Sequence, residues 1–222
     1  MGRRFSLTPD VPSRKRKQTR PGHGVDLQGT ARLWARRGGA IPKFAPRVFP
    51  RQPGRLAVLW DVSGSMEEYV ELYLPWLYQL VHRLPRVGVF PFAAELVDAT
   101  EVLRGPYAVA RVRLGQFSRV FSGGTRIGEA VREWLDRFGA QWLGGGRLTL
   151  LIISDGWDAG DPEALVLALR TLYSRGVVIV WMNPLMATPG FSPHTRALRA
   201  AKPFVRLMIS GHSPNALLTL ST

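Results

Sequence analysis

The chain has 222 residues, 45% of them hydrophobic and 10% aromatic, which is enough for one domain with a sizeable core and too much for a wholly disordered chain. There is no cysteine, so disulfide staples, cysteine-ligated zinc, iron–sulfur clusters and thiol catalysis are all excluded. The net charge of +14 sits at one end. Residues 1–55 hold fourteen Lys/Arg against two Asp (Asp10 and Asp26), while the rest is nearly balanced, at sixteen Lys/Arg and fourteen Asp/Glu.

Residues 1–54 therefore read as a basic N-terminal arm, densest at Arg14-Lys15-Arg16-Lys17. Such an arm suits nucleic acid, a membrane surface or an acidic protein, and it also suits a solvated tail. Its aromatics Phe5, Trp34, Phe44 and Phe49 are too widely spaced to stack successive bases, which weakens the nucleic-acid reading. Leu27, Ala31, Leu33 and Trp34 fall at near-helical spacing before Gly38-Gly39 and predict a short helix. Pro42, Pro46, Pro50 and Pro53 predict an extended linker over 40–54. No apolar run approaches the roughly 18 residues of a membrane span. The first twenty residues lack the apolar stretch of a secretory signal, and a cytoplasmic protein is expected.

From residue 55 onward the pattern alternates. Arg55–Trp60 predicts a buried strand ending at Asp61. Val70, Leu74, Leu77, Leu80, Val81 and Leu84 predict a helix over 66–84, with Pro75 as a kink or bend. Val87–Ala93 reads as a strand that Pro91 places at an edge or a weak end. Leu96–Leu103 reads as a second short strand, and Tyr107–Phe117 and Arg126–Phe138 as helices. Leu148–Ser154 is an almost unbroken apolar run, the signature of a strand covered on both faces. Asp161-Pro162-Glu163 opens a helix to Ser174, with Asp as cap and Pro in the first turn. Val177–Met182 and Phe204–Ile209 predict further strands, Thr195–Ala201 a short helix and Pro214–Leu220 a closing one. The order implies an α/β, three-layer, doubly wound fold with a mostly parallel central sheet over residues 55–222. Ligands of such sheets bind beyond the carboxyl ends of the strands.

Three strand-end loops collect small oxygen donors. Asp61-Val62-Ser63-Gly64-Ser65 follows the first strand, Ser122-Gly123-Gly124-Thr125 precedes a helix, and Ser154-Asp155-Gly156 ends the apolar strand. Together they offer Asp61, Ser63, Ser65, Thr125 and Asp155, two carboxylates and three hydroxyls. Hard cations such as Mg²⁺ take oxygen ligands, and hydroxyls ligate without neutralising the ion. Singly, each hydroxyl also reads as a helix cap and Asp155 as a turn cap. The set of five points to a metal. Trp157 follows the Asp155-Gly156 turn and reads either as a partner anchor or as rim packing.

Asp61-x-Ser63-x-Ser65, then Thr125, then Asp155, resembles the metal-ion-dependent adhesion site of von Willebrand factor A (VWA) domains. The longer stretches Gly123–Ala130, Ile153–Pro162 and Val180–Leu185 resemble the CoxE-like group of these domains. The resemblance implies Mg²⁺, with Mn²⁺ or Ca²⁺ as alternatives. It implies ligation by Asp61, Ser63, Ser65 and Thr125, with Asp155 direct or through water, and a last position filled by an acidic side chain of a protein partner. It further implies an accessory factor, not an enzyme, that works with a MoxR-type AAA+ ATPase in maturing molybdenum-containing carbon monoxide dehydrogenase-type enzymes.

Catalytic readings find little support. His23, His82, His194 and His212 show no metal-ligand spacing, and the sequence has neither a Gly-x-Ser-x-Gly elbow nor a nucleotide-binding Gly-x-x-x-x-Gly-Lys-Ser/Thr loop. The competing expectations are a Mg²⁺-dependent hydrolase and a nucleic-acid binder using the basic arm.

Overall fold

The computed structural model describes residues 11–12, 51–52, 54–120, 124–144, 146–188 and 195–213. The chain divides into two units, Asp10–Pro53 and the remainder. In the first, Val11–Pro12 pairs antiparallel with Arg51–Gln52. The helix expected near Leu27–Trp34 and the closing helix at Pro214–Leu220 lie outside the described residues.

The second unit is built on five strands: β1 (Arg55–Asp61), β2 (Val87–Phe92), β3 (Leu148–Ile153), β4 (Val178–Asn183) and β5 (Leu207–Ser210). All pair in parallel, in the order β2-β1-β3-β4-β5. The helices are α1 (Glu67–Arg83), α2 (Thr100–Arg104), α3 (Tyr107–Val120), α4 (Ile127–Leu143), α5 (Pro162–Ser174) and α6 (Arg196–Ala201).

The strands are largely apolar, and those inside the sheet are covered on both faces, whereas β5 is half-buried. On β1, Leu56, Val58 and Trp60 pack with Val70, Leu74 and Leu77 of α1 and with Leu103 and Leu114 of the next two helices. The alternate residues Ala57 and Leu59 pack with Ile127, Val131 and Trp134 of α4 and with Leu165, Leu169 and Leu172 of α5. A period of two thus splits one strand between two cores, and each fully buried aliphatic side chain contributes about 1.5–3 kcal/mol of transfer free energy. Gly128 of α4 shows how closely the two helices on the second face approach. A Cβ there would lie 2.6 Å from the backbone nitrogen of Leu165 in α5.

Two expectations need refinement. α1 runs unbroken through Pro75, because tertiary packing of its apolar stripe outweighs the loss of one helical hydrogen bond. The strand expected at Leu96–Leu103 is not formed. Leu96 makes a single antiparallel bridge to Phe92, and Val97 and Ala99 donate to the carbonyls of Pro91 and Val89, each at 3.0 Å, along the outer edge of β2. Asp98 then accepts from the Thr100 backbone at 2.9 Å and opens α2. Pro91, which lacks an N–H, lies on that edge strand as expected.

The chain leaves β1 toward β2 on one side and returns to β3 on the other, so its direction reverses between β1 and β3. At such a reversal the connections diverge to opposite faces and leave a crevice beyond the strand ends. The two carboxylates of the candidate set flank it.

Candidate metal centre

Asp61 is the last residue of β1 and is fully buried. The register pairs Trp60 with Ile153, so the next residues, Asp61 and Ser154, are neighbours. The Ser154 hydroxyl donates to Asp61 Oδ2 at 2.7 Å, and the Ser63 backbone N–H donates to Oδ1 at 3.0 Å. Burial pushes the Asp61 carboxyl from 3.8 up to about 6, against the lowering effect of the hydrogen bonds from Ser63 and Ser154, and the neighbouring Asp155 charge adds to the rise.

Asp155, also buried, is held by the Trp157 backbone N–H, which donates to Oδ1 at 2.9 Å. The turn between them needs glycine. Gly156 has φ +83°, and a Cβ there would meet Leu198 Cγ at 2.6 Å. Asn183, at the end of β4 and fully buried, donates its side-chain amide to the Asp155 carbonyl at 2.9 Å. Trp181 Nε1 donates to the Ser154 carbonyl at 2.9 Å. The β3 strand end is thereby fixed from the neighbouring strand.

The hydroxyls stand above these strand ends. Ser63 and Ser65 Oγ are 3.4 Å apart. Ser63 flanks the short turn Gly64–Met66 and makes no capping bond, and α1 has Met66 as its N-cap residue, with no side-chain cap. At α4 the first N–H, that of Ile127, is satisfied at 3.1 Å by Asp158 from a loop 31 residues away. The Ala159 N–H donates to the Thr125 carbonyl at 2.8 Å and ties that loop to the Thr125 loop. Helix capping therefore does not account for Ser63, and α4 takes its cap from Asp158. Ser63, Ser65 and Thr125 line an open depression of about 410 Å³ together with Trp157 and Asp158.

Of the five candidates, Asp61 closes β1 and Asp155 follows the adjacent β3, while Ser63, Ser65 and Thr125 share the depression. Ser154 and Asn183 were not singled out from sequence. Each is a polar residue closing an apolar strand, and that is the only local sign of their role. The donor set suits a hard divalent ion. It has two buried carboxylates, with no arginine or lysine ion-paired to them among the described residues, and three hydroxyl residues that line one depression, Ser65 exposed and Ser63 and Thr125 buried. No cluster of three or more His, Cys, Asp or Glu is found among the described residues, so a carboxylate-rich site of the calcium-loop kind is not what this edge offers.

The family profile described as a VWA domain containing CoxE-like protein matches residues 3–217. The chain belongs to this family. Its VWA domain is of a kind that serves as a protein-interaction module. The fold is similar to proximal thread matrix protein 1 of the mussel byssus, at TM-score 0.53 and 18% identity over 75% of this chain and 45% of that one. It is similar, too, to the manganese-loaded Plasmodium vivax TRAP protein, at TM-score 0.53 and 14% identity over 75% of this chain and 71% of that one. This chain thus spans under half of the mussel protein. No curated protein matches the sequence. No described helix of this VWA protein is long and apolar enough to cross a membrane.

Proposed function

We propose that this CoxE-like VWA protein captures a protein partner through a divalent ion, Mg²⁺ first among the candidates, held by Asp61, Ser63, Ser65, Thr125 and Asp155. The observation that carries the reading is the placement of two buried carboxylates at adjacent strand ends next to a depression lined by three hydroxyl residues, of which Ser65 is exposed and Ser63 and Thr125 are buried. Two carboxylates anchor the ion, and the hydroxyls leave it with unneutralised charge on the open side, where a carboxylate of the partner completes its coordination. The manganese-loaded TRAP protein is an instance of a similar fold holding a divalent ion.

The family resemblance supports a finer assignment. The chain acts as an adaptor, not a catalyst, for a MoxR-type AAA+ ATPase in the cytoplasm, in the maturation of a metalloenzyme of the molybdenum hydroxylase or carbon monoxide dehydrogenase type. The test is co-purification with the MoxR-type ATPase of the same source, in Mg²⁺ and in chelator. Capture is expected in Mg²⁺ only, and Asp61→Ala is expected to abolish it while the circular dichroism of the fold is kept. Capture by the variant in chelator would overturn the reading.

A further inference from the structure

Trp157 is an exposed aromatic at a place that does not need one for packing. It is 66% exposed, whereas Trp60, Trp134 and Trp181 are fully buried, Trp76 is buried and Trp142 is half-buried against the core. Other large apolar side chains are exposed too, among them Val112, Leu167 and Tyr173, but they lie on α3 and α5. Of the exposed large apolar residues described, Trp157 is the one that lines the depression beside Ser63, Ser65 and Thr125.

Its position is built, not incidental. The Asp155 carboxylate accepts from the Trp157 backbone N–H, and the left-handed Gly156, backed by Leu198, sets the turn that presents residue 157. The same turn therefore holds an acidic member of the candidate site and places an indole on its rim. A carboxylate entering the depression to reach the hydroxyl wall arrives beside that ring. The residue next to the carboxylate then has an apolar surface to cover, and covering an exposed indole is the kind of contact that dominates interface energetics.

We infer that Trp157 is a specificity contact, and that the segment captured at this face carries an acidic residue directly beside a large aliphatic or aromatic one. The inference rests on reading the strand-end cluster as a metal-dependent capture site. The backbone N–H that holds Asp155 is present whatever the side chain at 157, so truncating the indole removes the apolar contact and leaves the metal donors in place.

The test uses the full chain and a panel of nine-residue peptides with a central glutamate. The glutamate is flanked by leucine, by serine or by lysine, and a leucine-flanked glutamine peptide serves as control. Binding is read by fluorescence anisotropy in Mg²⁺ and in chelator, and Mg²⁺ affinity by calorimetry. In Mg²⁺ the leucine-flanked glutamate peptide is expected to bind about tenfold more tightly than the serine-flanked one, the scale of one buried aliphatic side chain. Trp157→Ala is expected to erase that preference with unchanged Mg²⁺ affinity, and Trp157→Phe to retain part of it. Metal-dependent binding whose leucine preference survives Trp157→Ala overturns the inference and leaves the capture reading standing. A Trp157-dependent preference that persists in chelator supports Trp157 as the contact and overturns the metal reading. Loss of Mg²⁺ affinity in Trp157→Ala overturns the inference by making the ring structural. Failure of every peptide to bind counts against both.

Discussion

The Ser154 hydroxyl donates to Asp61 Oδ2 across the β1–β3 pair at 2.7 Å, and its own oxygen accepts from the Gly156 backbone at 3.0 Å. One serine thus links both carboxylate loops. It orients the Asp61 carboxylate from one side while the Ser63 N–H holds it from the other. Partners of this kind tune a metal site without touching the ion, and their loss typically costs 10–100-fold in metal affinity. Ser154→Ala is accordingly expected to weaken Mg²⁺ binding by about tenfold in calorimetry. The fold should stay cooperative, since the change removes one oxygen from a buried site. An unchanged affinity would show that Ser63 alone suffices to orient Asp61.

The raised Asp61 carboxyl gives a pH signature with a definite sign. In the metal-free protein its folded value is about 6, against 3.8 for the free group. The folded state therefore binds the proton more tightly than the unfolded state does. That contribution to stability is fully present below about pH 4 and is lost as the pH rises through 6, on the order of 3 kcal/mol in all. Mg²⁺ held as proposed is expected to reverse the trend, because it would bind the anion and compete with the proton. Thermal melts in chelator and in Mg²⁺ should diverge as the pH rises past 6 and converge below 5. An equal metal-induced shift at pH 5 and pH 8 would refute this assignment of Asp61.

Much of this arrangement was legible in sequence, for a physical reason. β1 and β3 are covered on both faces, so their apolar runs are unbroken, and the first polar residues after them mark the strand ends where ligands bind. Asp161 as cap of α5 was also legible, because its contact is local: the Glu163 N–H donates to Asp161 Oδ1 at 2.9 Å. What could not be read depends on strand register or on distant loops. Ser154 meets Asp61 only because Trp60 pairs with Ile153. Asp158 caps a helix 31 residues upstream, a position where Thr125 looked like the natural local cap. Leu96–Leu103 misled because its apolar residues fit a strand equally well, whereas the Asp98–Thr100 hydrogen bond turns the chain into α2.

Gly156 combines two constraints that can be separated. Its φ of +83° disfavours any side chain, and a Cβ would also press on Leu198 Cγ at 2.6 Å. Gly156→Ala is expected to cost about 2–3 kcal/mol in denaturant unfolding, from strain and overpacking together. It should also displace Asp155 and weaken Mg²⁺ binding. Adding Leu198→Ala relieves the steric part but not the backbone strain, so the double variant should recover some of the lost metal affinity and none of the strain. Full metal affinity in Gly156→Ala would show that the Asp155 turn tolerates another geometry.

The basic arm and the strand-end site are separable in charge and in sequence. All five candidate ligands lie between residues 61 and 155, whereas the excess positive charge lies before residue 56. Deleting residues 1–24, which removes the Arg14-Lys15-Arg16-Lys17 run, is therefore expected to leave Mg²⁺ affinity unchanged in calorimetry. Any nucleic-acid binding by the full chain should follow the opposite rule. It should vanish with the arm and fall steeply with salt, since each neutralised phosphate releases counterions. Mg²⁺-dependent partner capture should change little over the same salt series, because the contact proposed to decide it, a carboxylate on an ion at the buried strand ends, would be screened far less than surface charge. Capture that collapses with salt and with the arm, and ignores Asp61→Ala, would move the function from the sheet edge to residues 1–24.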